Sequence, residues 1–374
     1  MTVTAKSLWT TLFPSVRREL AFVRSAALAW DPELREGITV IVPAYNEGVT
    51  LRETLASLHA QTTPPAVIIV VNDASTDDTA EIARSMGVTV VCPPSNTGSK
   101  AGAQTFALPL VRTRLVMAVD ADTTLAPDAI ARLAATFECA NVAAACGFVV
   151  PRRVRTIWER GRYVEYIFAF TFYKQIQDYY DRPLISSGCF SMYDTVALRA
   201  HGGWSTRTLA EDMDLTWSFH QSGHAVRFVP EAVCYPIEPH DLRLLTKQLR
   251  RWSHGFVQNV RLHWRGLLEV PYLRSAVAVA TWDALLASAV YLLVVPLLAL
   301  LLRNPWFLLG YVIDLPALMV PVLTGAVRRG EVARALASIP AFLVLRTVNA
   351  LFFLEAAWSE WVRGRTFLLY EKGH

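Results

Sequence analysis

The chain has 374 residues, is 53% hydrophobic and 18% charged, and carries a net charge of +4. Its mean hydropathy of +0.30 is high for a water-soluble protein, and its length allows about two domains. So small a charge leaves no nucleic-acid footprint, whereas a mildly basic protein suits an anionic membrane surface.

Residues 8–30 carry Leu8, Leu12, Val16, Leu20, Val23, Ala27 and Trp30 at helical spacing. Arg17, Arg18 and Arg24 fall on the other faces. Such a basic amphipathic helix lies on a bilayer or packs on the globular domain. These residues lack a continuous apolar run and a cleavage site, so no signal peptide is expected. Cys92, Cys139, Cys146, Cys189 and Cys234 are scattered, with no zinc-ligand spacing. They read as reduced thiols, mostly buried, on the cytoplasmic side.

From Ile38 to Val150, short β-branched runs alternate with helical patterns. Strands are expected at 38–43, 67–72, 88–92, 115–119 and 142–150, with helices near 49–60, 78–86, 99–111 and 127–138. Asp77 and Asp78 would cap the second helix and Gly87 would end it. This alternation predicts an α/β fold, a mainly parallel sheet with helices on both faces. Ligands of such sheets bind outside the carboxyl ends of the strands.

Residues 151–181 interleave arginines with aromatics, which suits lipid headgroups or a sugar chain. Residues 241–264 form a further amphipathic helix through Leu242, Leu245, Leu249, Trp252, Phe256 and Val260. Two apolar runs follow, 275–302 and 306–327, each above the ~20 residues that span a bilayer. Arg328, Arg329 and Arg334 follow the second run, so that loop and the globular domain are expected in the cytoplasm. A third stretch, 335–358, contains Pro340, Arg346 and Glu355. A central Arg costs ~2.5–3.5 kcal/mol unless it faces protein or water, so this stretch either spans, lies in the interface or turns back.

Four motifs carry the chemistry. Asp73 closes the strand at 67–72, where a carboxylate can accept from the imide N–H of uracil; the alternative is an Asx-turn or helix cap. Asp120 and Asp122 follow the strand at 115–119. Carboxylates at i and i+2 can share a Mg²⁺ or Mn²⁺ that bridges phosphate oxygens. Lys100 sits at a helix start, a favourable place for an anion, or is an ordinary solvated lysine. Glu211, Asp212 and Asp214 follow a polar loop. Asp212 is the candidate general base for an acceptor hydroxyl, with Glu211 second; the alternative is an acidic helix N-terminus. Gln248, Arg251 and Trp252 lie on the amphipathic helix, with Trp252 placed to underlie a sugar ring or to continue the apolar stripe. His240 and His254 read as structural rather than metal-binding.

In this order the motifs resemble the processive membrane glycosyltransferases of family 2, the group of hyaluronan, chitin, cellulose and bacterial poly-N-acetylglucosamine synthases. The resemblance covers roughly residues 38–265, with a weaker echo at 361–365. It rests on Pro43, Tyr45 and Glu47 in Val42-Pro43-Ala44-Tyr45-Asn46-Glu47, on Asp73, Asp120 and Asp122, on Glu211-Asp212 and on Gln248-x-x-Arg251-Trp252. Gly188 and Tyr193 resemble the acceptor-side switch region. The resemblance implies a GT-A nucleotide-sugar fold and an inverting mechanism. Asp73 would hold uracil, Lys100 face the diphosphate, Asp120 and Asp122 serve Mn²⁺ or Mg²⁺, Asp212 act as base and Trp252 stack on the acceptor. Leu249 departs from the pattern where Gln or Arg is usual, and Asp194 where Arg is usual.

The expected organisation is an amphipathic segment over 1–37, a catalytic domain over 38–240, an interface helix over 241–270 and a membrane region over 271–374. The expected protein is a multi-pass protein of the cell membrane, with its catalytic domain in the cytoplasm. Its expected partners are a UDP-sugar, membrane lipids and a polysaccharide or lipid-linked acceptor, not nucleic acid. Two or three spans make a thin wall for a polymer channel. Either the protein forms a homo-oligomer, or it makes a short product, or it adds one sugar to a lipid.

Overall fold

The computed structural model describes residues 33–139 and 141–367. The expected helix over 8–30 lies outside the described residues.

The five expected strands are β1 (Arg35–Ala44), β2 (Val67–Asn72), β3 (Thr89–Val91), β4 (Thr113–Val119) and β6 (Val142–Val149). Three others, β5 (Thr124–Leu125), β7 (Phe190–Asp194) and β8 (Ala225–Tyr235), join them in one sheet of order β3-β2-β1-β4-β7-β6-β8-β5. β7 runs antiparallel between β4 and β6, and β5 antiparallel to β8. The sheet is therefore mixed, with its other six strands pointing one way. Val40, Ile41 and Val42 are buried on both faces, as continuous apolar runs in covered parallel sheets require.

On one face lie α1 (Leu51–His59), through Leu51, Leu55 and Leu58, and α5 (Ile157–Phe168), through Tyr163, Val164 and Ile167. Each such side chain contributes roughly 1.5–3 kcal/mol by leaving water. The other face is covered by α3 (Lys100–Ala107), α7 (Thr195–Ala200) and α8 (Glu211–Gln221), through Ala101, Leu198 and Phe219. Of the remaining short helices, α2 (Thr79–Ser85) follows β2, α4 (Ala129–Ala134) precedes β6 and α6 (Lys174–Tyr179) continues α5 through a π-turn at Ala169–Tyr173. Asp77, rather than Asp78, holds the start of α2: its Oδ1 accepts from the Thr79 N–H at 3.1 Å. Gly87 ends the helix at φ 73°. Cys146 and Cys234 are buried, whereas Cys92 and Cys139 are exposed.

The amphipathic helix is α9 (Leu242–Glu269). Beyond it, three helices among the described residues are long and apolar enough to cross a membrane: Tyr272–Leu301, Pro305–Arg329 and Val332–Val362. The first takes in α10 (Pro271–Trp282) from its second residue and α11 (Val295–Leu301), the second α12 (Leu315–Arg329) and the third α13 (Val332–Ala357). Arg346 on α13 donates to both carboxylate oxygens of Asp314, at 3.0 and 2.6 Å, and lies 4.5 Å from the Tyr291 ring centroid. The charge that made this stretch ambiguous thus faces protein. Both ends of α13 return to the rest of the body. At one end the Tyr163 hydroxyl donates to Glu331 at 3.0 Å, and Arg329 lies 4.0 Å from the Phe148 ring centroid. At the other, His254 on α9 contacts Glu355 and Glu360 at 3.1 and 2.9 Å. Gly161 on α5 lets α13 approach, since a Cβ there would sit 2.9 Å from the Leu345 Cβ.

Candidate active site

The loops after β1 and β2 are laced together at the carboxyl edge of the sheet. The N–H groups of Asn46, Glu47 and Gly48 donate to Ser75 Oγ, Thr79 Oγ1 and Asp77 Oδ2 at 3.0, 2.8 and 2.9 Å. Asn46 Oδ1 accepts from the Thr76 N–H at 2.8 Å. Asn46 and Ala74 take left-handed backbone at φ 55° and 62°. Such strain, ~1–3 kcal/mol per residue, persists only where surroundings enforce it and clusters at functional sites. Asp73 is buried, and its two carboxylate oxygens accept from the Thr97 N–H and hydroxyl at 2.7 and 2.8 Å. It is therefore neither an Asx-turn nor a helix cap, but a tie to the loop before α3.

Lys100 opens α3 behind Ser99, whose Oγ accepts from the Gly102 N–H at 3.1 Å. Its ammonium pairs with Asp120 and donates to the Gly188 carbonyl at 2.8 Å. Asp122 is buried, and its Oδ1 accepts from the Thr123 hydroxyl at 3.0 Å. Among the described residues no group of three or more His, Cys, Asp or Glu side chains could by itself hold a metal ion. Two aspartates lining one cleft nonetheless fit Mg²⁺ or Mn²⁺, which take one or two carboxylates and complete their shell with substrate phosphates and water.

The acids that open α8 have separate surroundings. Asp212 Oδ2 accepts from the Gly188 N–H and its Oδ1 from the Met213 N–H, both at 2.8 Å. Gly188 therefore contacts both Asp212 and Lys100, and a Cβ there would lie 3.1 and 3.3 Å from them. Glu211 is buried. Burial, then the neighbouring Asp212, pushes its carboxyl above the usual range, against the pull of Lys100 and Arg251. Asp214 is a strut: Arg207 grips both its oxygens at 2.7 and 2.6 Å, and His263 of α9 reaches it at 2.6 Å.

On α9, Gln248 Oε1 accepts from Arg162 at 2.9 Å, and the Arg162 guanidinium lies 4.4 Å from the Trp252 ring centroid. Arg162 is itself buried, paired with Glu165 and 3.7 Å from Glu238. Trp252 is half-buried. His254 is a structural contact to the C-terminal segment, and His240 stays on the surface.

One cleft of about 980 Å³ joins these parts. Pro43, Tyr45, Glu47, Asp73, Lys100, Asp120, Asp122, Gly188, Glu211, Asp212, Gln248, Arg251 and Trp252 all line it. Tyr193 does not: its side chain is buried within the sheet core, edge-on to Trp204 with ring centroids 5.5 Å apart. Gly188 lies in the loop before β7, which lines the cleft, whereas Tyr193 lies within the strand.

The profile of the family described as "Glycosyltransferase like family 2" matches residues 35–255. The chain belongs to this family. It is 29% identical over 243 residues to a poly-β-1,6-N-acetyl-D-glucosamine synthase of Staphylococcus epidermidis, covering 64% of this chain and 59% of that one. A synthase of the same name from Staphylococcus aureus (strain COL) is 30% identical over 225 residues, covering 59% and 54%. The chain thus spans less than two thirds of the length of these relatives. Among solved structures, the mannosyltransferase PcManGT from Pyrobaculum calidifontis, in complex with GDP-Man and Mn²⁺, superposes with a TM-score of 0.56 at 21% identity, over 96% of this chain and 97% of that one. S. aureus TarS 1-349 with UDP-GlcNAc gives 0.50 at 17% identity, over 88% and 92%. These likenesses agree with the GT-A-type fold.

Local packing and capping explain both departures in the sequence. Leu249 is buried against Leu245 and against Leu345 of α13, where a polar side chain would lack water. Asp194 caps α7, accepting from the Ala197 N–H at 2.9 Å. Sequence reasoning missed Glu238, buried in the same cleft and bonded to the Tyr166 hydroxyl at 2.9 Å. The apolar run over 225–235 is only a faint signal for β8, and hence for the segment that carries Glu238, because Pro230 interrupts it.

Proposed function

We propose that the protein is an inverting, metal-dependent glycosyltransferase that moves a sugar from a UDP-sugar to a hydroxyl of a growing polysaccharide at the cytoplasmic face of the membrane. The observation that carries this reading is Asp212. Its carboxylate faces the same cleft as Asp120 and Asp122, and the loop at Gly188 ties it to Lys100. In this reading Asp73 and Tyr45 hold the uridine end, Asp120 and Lys100 the ribose–diphosphate, and Glu47 braces the loop beneath. The hydroxyl oxygen of the acceptor bonds to the anomeric carbon as the bond from that carbon to the β-phosphate oxygen breaks. The hydroxyl proton passes to Asp212 and UDP leaves with the bonding pair. Gln248, Arg251 and Trp252 position the acceptor and the leaving diphosphate, the indole giving a flat apolar face to a sugar ring. Asp120 and Asp122 would hold Mn²⁺ or Mg²⁺, which offsets charge on the leaving diphosphate; PcManGT was solved with Mn²⁺.

The named relatives make N-acetylglucosamine polymers, and TarS was solved with UDP-GlcNAc, so UDP-GlcNAc is the donor to try first. We assign 38–240, with the first residues of β1 just before it, to the catalytic domain, 241–270 to the interface helix and 271–374 to the membrane region. Tyr272–Leu301 and Pro305–Arg329 form the membrane hairpin. The third helix lies along the interface, since both its ends dock on the body. The basic Arg328, Arg329 and Arg334 then stay with the catalytic domain in the cytoplasm.

The test is UDP release from UDP-GlcNAc by the purified full chain, together with its product. Release should require Mn²⁺ or Mg²⁺, and Asp122→Ala should remove the response to metal. Undiminished release in EDTA would remove the metal from the reading; no release from any nucleotide-sugar would remove the reading itself.

A further inference from the structure

The arginines that follow β6 do not all serve a surface. Arg153, Arg155 and Arg160 are exposed, as a face for headgroups or sugars requires. Arg152 is mostly covered, its side chain 17% exposed, and it joins three elements. Its Nη2 donates to the Asp122 carbonyl at 2.6 Å, its Nη1 to the Glu53 carboxylate of α1 at 2.5 Å and its Nε to the Tyr235 carbonyl at the end of β8 at 3.3 Å. The Arg152 N–H donates to the Pro236 carbonyl at 2.9 Å. A guanidinium presents its donors as a rigid planar fork, so these bonds fix where the Asp122 carbonyl sits.

The loop that Arg152 grips carries both aspartates of the candidate metal site, and each of its residues is held by its backbone. The Asp120 N–H donates to the Cys189 carbonyl at 3.2 Å, the Ala121 carbonyl accepts from the buried Thr54 hydroxyl of α1 at 2.8 Å, and the Asp122 carbonyl accepts from Arg152. The Thr123 N–H returns to the Asp120 carbonyl at 3.0 Å and closes the loop as a turn. Asp120, Ala121 and Asp122 are among the described residues that line the cleft; Arg152 and Thr54 are not among them and stand behind the loop.

We infer that Arg152 and Thr54 are positioning residues for the metal: by holding the Asp122 and Ala121 carbonyls from behind, they set the angle at which the two carboxylates meet a divalent cation. This rests on the metal-dependent transfer proposed above and names what orients its metal loop. Mg²⁺ demands near-ideal octahedral geometry, and residues that orient metal ligands are typically worth 10–100-fold in metal affinity or activity. The sign of the effect separates orientation from charge. Arg152 is a cation beside Asp122, so by Coulomb repulsion alone its loss would tighten the hold on Mn²⁺. As an orienting residue, its loss weakens that hold.

The experiment titrates Mn²⁺ into the purified full chain with UDP saturating, reading bound metal from the loss of the free-ion EPR signal against UDP alone. Arg152→Gln should weaken Mn²⁺ binding roughly 10- to 100-fold. Arg152→Lys keeps the charge, but one ammonium cannot span Glu53 and two carbonyls, so it should weaken binding nearly as much. The Mn²⁺ concentration for half-maximal UDP release from UDP-GlcNAc should rise by the same factor, and saturating Mn²⁺ should bring kcat back close to wild type. An arginine that only supports the fold would lower kcat at every Mn²⁺ concentration and leave the half-saturation point in place; that result overturns the inference. Tighter Mn²⁺ binding in Arg152→Gln overturns it too, as does wild-type binding in Arg152→Lys. If the Arg152 variants do not fold, Thr54→Val decides. Weaker Mn²⁺ binding, with the Kd for UDP in EDTA unchanged, supports the inference, and unchanged Mn²⁺ binding overturns it. Failure of the wild type to bind Mn²⁺ removes the metal from the proposed reaction and this inference with it. Wild-type binding that the variants retain removes the inference alone.

Discussion

The two ends of the cleft are built by different means. At the donor end, loops after neighbouring parallel strands are tied over short separations, as in Gly48 to Asp77 and Asp73 to Thr97, 29 and 24 residues apart. At the acceptor end, the ties run between helices far apart in sequence. Arg162 meets Gln248 across 86 residues, and Glu165 meets Asn349 of α13 across 184. A donor site made this way needs only the sheet. The acceptor site needs the apolar helices in place, which makes its geometry sensitive to the lipid around them.

The largest test falls where the ends meet. Asp212→Asn should lower transfer by roughly 10²–10⁴, while UDP titrates into the variant as into the wild type by calorimetry, because only the proton acceptor changes. Near-normal turnover would end its assignment as base.

Trp252→Ala addresses the acceptor end alone. Transfer to a glycan should fall well below wild type while hydrolysis of the donor to water falls less, as seen by comparing product with UDP release. Were Trp252 only packing, the change would cost ~3–5 kcal/mol and damage both activities together, with a lowered melting temperature.

Leu249→Gln probes whether the acceptor end depends on α13. The position is 3% exposed, and an amide without a partner there should cost ~1–3 kcal/mol. Transfer should weaken while the Kd for UDP holds. If the Kd for UDP rises by the same factor as transfer falls, the two ends are not independent.

The same division governs what the sequence disclosed. The strand-end carboxylates were legible because a strand's period places the residue after it at the edge of the sheet. Asp73 and Asp120, expected in one crevice, line the same cleft, together with Asp122, Glu211, Asp212, Gln248, Arg251 and Trp252. β7 and β8 were not read: β7 is five residues inside a polar stretch, and β8 carries Pro230 and a register shift. Without them the sheet reads as mainly parallel with no antiparallel strand at its centre, and Glu238 has no place. The third apolar stretch stayed open because nothing local to Arg346 announces Asp314, 32 residues away. Nor could Leu249 be explained before Leu345 was seen against it.

The smallest effect is a difference in sign between the ends. Burial pushes the Glu238 carboxyl above its usual range, and Asp122 adds to the rise, although Arg162 and the bonds from Tyr166 and Gln248 oppose it. A carboxyl raised in the folded state binds its proton more tightly there than when unfolded. Its contribution to stability is therefore complete below the unfolded value, ~4.3 for Glu, and is lost as pH rises through the folded value. At the donor end Asp77 behaves oppositely. Against some cost of burial, the Thr79 hydroxyl and the Gly48 and Thr79 N–H groups hold it below its usual range. Its contribution is present above the unfolded value and is lost as pH falls through the folded one. Glu238→Gln, which stays neutral, should therefore gain in melting temperature relative to wild type between pH 5 and pH 8. Asp77→Asn should lose least against wild type at the acid end of a scan from pH 7 to pH 3. Parallel shifts in the two variants would mean that the ends of the cleft share one electrostatic design, and the division drawn from their hydrogen bonds would fail.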